Sequence, residues 1–520
     1  MAASAGMTET QRMNGGGSSD ALYLRLQADL EKAIREGRFV LGSKLPPERE
    51  LAEQLHVSRT TVTNAYRELE AKGLVRGYVG RGTYVCALPQ PSNVPFAWRG
   101  KMSKASLRLS ASPSTVVNRL SVDPKLISFA LGCPALENFP AEEYQRIERS
   151  ILCRRSIEAM GLGAVTGQPA LRQAIAKEHS ARADQVLVVA GSQQGLDLLA
   201  RCLIDPGDHV IVDSPGYFVA FQTFQAAGAR LIGWDALRSD LDELENLILR
   251  YKPKFICTTP SFQNPTGRTL SLSQRKDLVQ LATRYRIPLI EDDAYRELYF
   301  DAPPPPSLRA LDDHGVVMHV GTFSKVLAPG LRLGYIIAPE NVVELLALTK
   351  HRAACFTAGL EQLVVAEMLG SGILAGHAQQ LRHEHRIRRD AMIFALRQAF
   401  PKTRFNFSAP GGGLYLWCQL SDGLTGVDLN DLAIAQGVVF APGEFFYPEV
   451  GGEREIRLCF TGSTGPKIRD GVERLRNAFV TALGSKQKGN AVSSPRPDSS
   501  GLITSQFKQP TKNCSACHSE

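Results

Sequence analysis

Six short apolar runs rich in β-branched residues, VLVVAG, HVIVDSP, ARLIGW, FICTTP, IPLIEDDAY and VMHVGTF, recur between residues 186 and 323. Helical stretches such as SQQGLDLLARCLI and SLSQRKDLVQLATRYR separate them. Neighbouring parallel strands need a crossover, usually a helix, and strands covered on both faces read as near-continuous apolar runs. The alternation therefore predicts an α/β unit over residues 125–484, a mostly parallel sheet covered by helices. GGGLYLWCQL, VVFAPG and REIRLCFTG follow and read as a smaller α+β lobe, closed by a last helix.

The first hundred residues follow a different rule. ALYLRLQADLEKAIREG has apolar residues at helical spacing, and ERELAEQLHV is a second helix introduced by Pro46-Pro47. SRTTVTNAYRELEAKG is a third, with Ser58 as N-cap and Gly73 as stop signal. LVRGYVGRGTYV alternates around glycines as a β-hairpin does. This unit covers residues 19–87. A Gly/Ser-rich arm (1–18), a basic irregular linker (88–124) and a Ser/Pro/Lys-rich tail (485–520) read as disordered or linking segments.

In the second and third helices Leu51, Leu55, Val57, Val62, Ala65 and Leu69 form one apolar face. Ser58, Arg59, Thr60 and Thr61 are left near an exposed helix start. Short hydroxyls there suit phosphates, and arginine suits a guanine edge in the major groove. Arg49 is a second anchor, and the Gly80-Arg81-Gly82 tip lets backbone approach the minor groove. The plain alternative is a three-helix protein-docking module. Beyond pattern, LPPERELAEQLHVSRTTVTNAYRELEAKGLVRGYVGRGTYV resembles the winged helix-turn-helix of GntR-family transcription regulators. That resemblance implies double-stranded operator DNA as partner, contacted through Arg49, Ser58, Arg59, Thr60, Thr61 and Gly80.

In the α/β unit the chemistry gathers at strand-to-helix junctions, where open α/β sheets bind ligands. AGSQQG offers Ser192 and Gln193 at a helix start, SPGY offers Tyr217, and QNPTG offers Asn264. IPLIEDDAY offers Asp292 and Tyr295, GTFSK offers Thr322 and Lys325, and PGLRLGY offers Arg332. Taken singly, each has a plain reading as a turn, a cap or a surface charge. A phosphorylated pyridine aldehyde would use all of them. Lys325 would hold the aldehyde as a Schiff base, and Asp292 would keep the ring nitrogen protonated so that the ring can take up electrons. Asn264 and Tyr295 would serve the phenolic oxygen, and Tyr217 would stack on the ring. Ser192, Gln193, Thr322 and Arg332 would hold the phosphate.

TTPSFQNPTG, LIEDDAYREL and GTFSKVLAPGLRLGY carry a resemblance of residues 125–480 to fold-type I, class I aminotransferases, which use pyridoxal 5'-phosphate. It implies that Arg457 in REIRLCF clamps an α-carboxylate. The chain departs from the family where a tyrosine usually reaches a phosphate across the dimer. LGAVTG puts Leu162 there, and leucine donates no hydrogen bond. A GntR reader joined to an aminotransferase-like unit resembles the MocR subfamily of regulators. This implies a domain-swapped homodimer that senses an amino acid or amine. The alternative is a working aminotransferase with a regulatory head.

The formal charge of +8 over 520 residues is compatible with nucleic acid. Most of the ten cysteines lie in apolar runs, which points to a reducing cytoplasm. No signal peptide and no run of roughly 20 apolar residues is visible, so no membrane partner is expected. Cys514-Ser-Ala-Cys517-His518 matches the haem-attachment pattern. That attachment occurs outside the cytoplasm, so the match reads as chance or opportunistic metal binding. No metal ligand set is assigned.

Overall fold

A computed structural model describes residues 19–36, 38–39, 42–78, 82–86, 101–102, 123–236, 241–421 and 423–489. The chain divides into two compact units, Met1–Met102 and Ser103–Glu520. The arm, most of the linker, the Gly80 tip and the cysteine-containing tail lie outside the described residues.

In the first unit α1 (Ser19–Arg35), α2 (Glu48–Leu55) and α3 (Arg59–Ala71) precede an antiparallel hairpin of β1 (Val75–Tyr78) and β2 (Gly82–Val85). His56 stops α2 by adopting the left-handed conformation, φ 53°. Ser58 starts α3, its Oγ accepting the Thr61 N–H at 3.1 Å. Leu51, Val62, Ala65 and Leu69 join Leu26, Leu30, Ile34 and Leu45 in one core, with Leu55 and Val57 packed at its edge.

The second unit is built on a seven-stranded sheet. Its strands are β4 (Val186–Val189), β5 (His209–Asp213), β6 (Arg230–Trp234), β7 (Ile256–Thr258), β8 (Leu289–Asp292), β9 (Val317–Thr322) and β10 (Gly334–Ile337). The order is β4-β10-β9-β8-β7-β5-β6. The strands from β9 to β6 are parallel, whereas β10 runs antiparallel to both its neighbours. The sheet is therefore mixed, and the reversed strand GYII was not among the runs read from the sequence. It is short, and its apolar pair follows directly on the PGLRL turn. Two reversals leave β4 parallel to β9, so the ends of β4, β5, β7, β8 and β9 all point the same way. Both faces are covered: Val186, Val188 and Ile337 lie in one cluster, and Leu187, Val189 and Ile336 in another.

The smaller lobe has β3 (Ile127–Ser128), which runs parallel to β13 (Val438–Val439), and a four-stranded antiparallel sheet. That sheet contains β11 (Phe405–Phe407), β12 (Tyr415–Leu420), β14 (Ala441–Pro442) and β15 (Glu455–Cys459). Helices Ile373–Ala399 and Gly465–Gly489 contribute to its apolar core. The last helix continues beyond residue 484, where the sequence reading began a tail.

Candidate cofactor site and DNA-facing helix

Lys325 follows the C-terminal end of β9 and is half-buried. Its Nζ donates to the Gly132 carbonyl at 2.7 Å. Burial lowers its pKa, which favours the neutral amine that adds to an aldehyde. The Gly132 backbone lies against the Tyr415 hydroxyl, so closely that any Cβ there would collide with it. Asp292 closes β8 and is buried, and its Oδ1 has no hydrogen-bond partner. Burial, and Asp293 beside it, push its carboxyl up to about 7. A buried carboxylate with a free oxygen needs a cationic donor, which a protonated ring nitrogen supplies.

Arg457 on β15 is buried. Its Nη1 donates to Asn264 Oδ1 at 2.8 Å and its Nη2 to the Ala130 carbonyl, while Nε has no partner. The Tyr415 and Phe446 rings flank the guanidinium at 4.2 and 4.8 Å. Tyr295 shares a 3.3 Å hydrogen bond with Tyr415, and burial raises the pKa of both phenols and of Tyr217. Tyr217 sits at the start of helix Phe218–Ala226, close enough to Asp292 for that charge to act on it.

A second group of residues forms an anion cradle. Gly191 adopts φ 83° before helix Ser192–Leu203, and a Cβ there would sit 2.7 Å from Arg332 Nη2. Arg332 itself lies in the left-handed region, φ 49°, and donates to the Ala190 carbonyl at 3.0 Å. Thr322 Oγ1 accepts the Ser324 N–H at 3.1 Å. The helix start, the hydroxyls and the guanidinium match a phosphate. Gln193 contributes differently from a free amide, because its Nε2 donates to Thr223 Oγ1 at 2.7 Å. What it can offer the cradle is backbone at the first turn of the helix.

Among the residues that sequence reasoning missed, Asp213 ends β5 and accepts the Thr259 N–H at 2.8 Å. It thereby ties down the loop that carries Asn264. Its place at a strand end in HVIVDSP is the signal that could have revealed it. Lys350 is fully buried, with Nζ donating to Val165 at 2.6 Å and Val188 at 2.8 Å. It fastens the Leu162-containing loop to β4, and nothing in its sequence context marks it. Leu162 is 92% exposed, beside exposed Ile157 and Met160.

In the first unit Arg49, Ser58, Arg59 and Thr60 are exposed. Thr61 departs from the expected exposure. It is buried, and its hydroxyl shares a 2.8 Å hydrogen bond with Ser58, because the N-cap folds it inward. Glu48 takes an ion pair from Arg59 Nε at 3.5 Å and a hydrogen bond from Thr63 at 2.9 Å.

The family model for aminotransferase class I and II matches residues 148–475, more than half of the chain. The chain belongs to that family. The model for bacterial regulatory proteins of the gntR family matches residues 22–85. The 2-aminoadipate transaminase of Thermus thermophilus is 35% identical over 394 residues, covering 75% of this chain and 99% of that protein. The probable rhizopine catabolism regulatory protein MocR of Rhizobium meliloti is 30% identical over 492 residues, covering 91% and 97%. Thermus thermophilus LysN, an alpha-aminoadipate aminotransferase solved with N-(5'-phosphopyridoxyl)-L-leucine, is 34% identical with a TM-score of 0.71, covering 75% and 100%. A gntR head and an aminotransferase unit in one chain give the MocR-type architecture. The cofactor of this MocR-type chain is pyridoxal 5'-phosphate. No described helix is long and apolar enough to cross a membrane.

Proposed function

We propose that this chain is a cytoplasmic transcription regulator that binds operator DNA through α3 and senses an amino acid or amine through its cofactor unit. The observation that carries the reading is the pairing of a gntR reader with a family-complete aminotransferase unit, aligned across 97% of MocR.

In this reading Lys325 holds the cofactor covalently, Asp292 keeps a proton on the ring nitrogen, and Asn264 and Tyr295 orient the ring. Ser192, Gln193, Thr322 and Arg332 hold the phosphate, and Arg457 receives the effector's carboxylate. Pyridoxal phosphate, when bound, supplies an aldehyde for amines and a ring that takes up electrons. Arg457 already has Asn264 and the Ala130 carbonyl as partners, so an incoming carboxylate must displace or share one of them. The residue 130–133 backbone also accepts from Lys325 and Thr461. This segment leads back through β3 towards the first unit and is suited to report effector binding. The regulator is a domain-swapped homodimer, and the exposed Ile157, Met160 and Leu162 belong to the subunit interface. Coupling requires the effector to favour one of two arrangements of the dimer.

The test is a titration of amines and amino acids against holoprotein bound to a fluorescent operator fragment. Cofactor absorbance and DNA anisotropy are followed together. A compound that changes the absorbance should also change the anisotropy. If the whole panel changes only the absorbance, the sensing reading fails.

The complete lysine, aspartate and arginine set, with 35% identity to a transaminase, supports a second reading as a working aminotransferase. Many turnovers with a keto-acid acceptor, and no operator affected, would favour that reading.

A further inference from the structure

Asp292 and Asp293 leave β8 on opposite faces. Glu291 lies opposite His319 in the β8–β9 register, and Asp292 lies opposite Val320. Strand alternation therefore puts Glu291, Asp293 and His319 on the face turned away from Asp292. That face borders a cavity of about 470 Å³, whose polar lining includes Asp293, Arg296, His179, His319 and Tyr335. Phe323, Val326 and Leu374 form an apolar wall. Lys325, Asp292 and Arg457 do not line it.

Most of the polar wall is already partnered. His319 Nδ1 and Glu291 lie 3.0 Å apart, and Glu291 also accepts the N–H groups of Leu308 at 2.7 Å and Arg309 at 3.1 Å. His179 Nε2 and the Tyr335 hydroxyl lie 2.8 Å apart. Asp293 and Arg296 keep side-chain atoms with no hydrogen bond. The Asp293 side chain is fully buried, with no hydrogen-bond partner for either oxygen, and Arg296 Nη1, also buried, has none. They form an ion pair with each other at 3.6 Å, longer than a hydrogen bond.

A buried carboxylate with two free oxygens calls for several donors, which an ammonium has. The free guanidinium N–H calls for an acceptor, which a carboxylate has. Lys177, Glu178, Glu297 and Arg382 also line the cavity, so its wall carries both signs of charge, which suits an occupant that carries both. A divalent ion among Glu291, Asp293 and His319 would lie beside the Arg296 guanidinium, which repels it. A second groove shares Glu178, His179 and Arg296 with the cavity and reaches exposed Asp313.

We propose that this cavity is a second, non-covalent site for an α-amino acid with an apolar side chain. Asp293 takes the ammonium, Arg296 takes the carboxylate, and Phe323, Val326 and Leu374 face the side chain. Thr322 lines this cavity as well as the phosphate cradle, so occupancy bears on the strand that leads to Lys325. The site goes beyond the proposed sensing reaction and uses none of Lys325, Asp292 and Arg457.

The experiment uses holoprotein in which borohydride has fixed the cofactor to Lys325, so that the first site cannot bond an amine. L-leucine and L-phenylalanine are titrated calorimetrically, with leucinamide and N-acetyl-leucine as probes lacking one charge. One site per chain is expected for the two free amino acids. Binding should weaken about tenfold or more for each single-charge probe. The same loss is expected in Asp293→Asn and Arg296→Gln, with cofactor absorbance and melting checked in each. Binding should persist in Arg457→Gln. No binding of either amino acid overturns the proposal. So does binding lost in Arg457→Gln but kept in Asp293→Asn, or equal binding of all four probes.

Discussion

The two units handle charge in opposite ways. In the first, Arg49 and Arg59 keep 85% and 72% of their side chains exposed, each facing one carboxylate at 3.2 or 3.5 Å. In the second, Asp292, Asn264 and Arg457 are buried, and two of them retain an unpartnered atom. Exposed charges are screened and act almost independently, which suits a rigid polyanion approached from outside. Buried charges act strongly and leave a partner stranded when one is removed. The reader should therefore lose function by degrees, and the cofactor unit all at once.

The largest effect should come from Lys325→Ala. Visible cofactor absorbance and the effector response should vanish while basal operator affinity stays within about threefold, since the reader's exposed contacts act independently. An unchanged effector response in that variant would show that the lysine is not the receptor.

In the reader, packing rather than charge should be the fragile element. Leu69 is fully buried in the first unit's core, and Leu69→Ala should destabilise that unit by roughly 2–5 kcal/mol. Peptide-resolved hydrogen exchange should show protection lost in residues 19–86 and kept in the central sheet. Loss in both would mean that the units do not unfold separately.

Acid should separate the units in the other direction. Burial holds His179 and His385 at about 3. The unfolded chain then takes protons that the folded one refuses. Stability is therefore intact above about pH 6.5 and falls as pH drops towards 3, by up to roughly 1.4 kcal/mol per pH unit per histidine. The Ala135 N–H donates to His385 Nε2 at 3.2 Å, which requires the neutral ring. The first unit's one histidine, His56, is exposed. Exchange protection in the central sheet should fall more between pH 6.5 and 5 than protection in α1–α3.

Arg59→Ala should weaken specific operator binding by about 1–3 kcal/mol without changing cofactor content, measured by anisotropy at fixed salt. Retained sequence preference would move base readout to another residue. Smallest of all, Ser58→Ala should cost about 1 kcal/mol through the lost N-cap, seen in the first unit's melting.

Legibility followed the same division. Asp292, Lys325 and Arg332 could be read because each lies beside a turn or a strand end within one short motif. Six of the seven central strands were visible as apolar runs. β10 was not, because four residues directly after a turn carry little periodicity. Thr61 was misplaced because a helix start offers hydroxyls both outward and into the cap, and sequence does not say which. Gly132, Tyr415 and Lys350 matter through partners more than 180 residues away or through a backbone approach, and neither leaves a local pattern. Asp293 adjoins Asp292, yet strand alternation turns it to another cavity.

The reversed strand sets an order of events during synthesis. Among the described residues β4 has β10 as its sole neighbour in the sheet, so the strand that leads to Ser192 stays unpaired until Ile337 has emerged from the ribosome. Arg332 reaches Gly191 through the same late closure. A nascent chain thus shows its operator-reading helices long before it can hold a phosphate. In chain order α1 to α3 are complete before the first strand of the sheet has emerged, so the two units can fold one after the other.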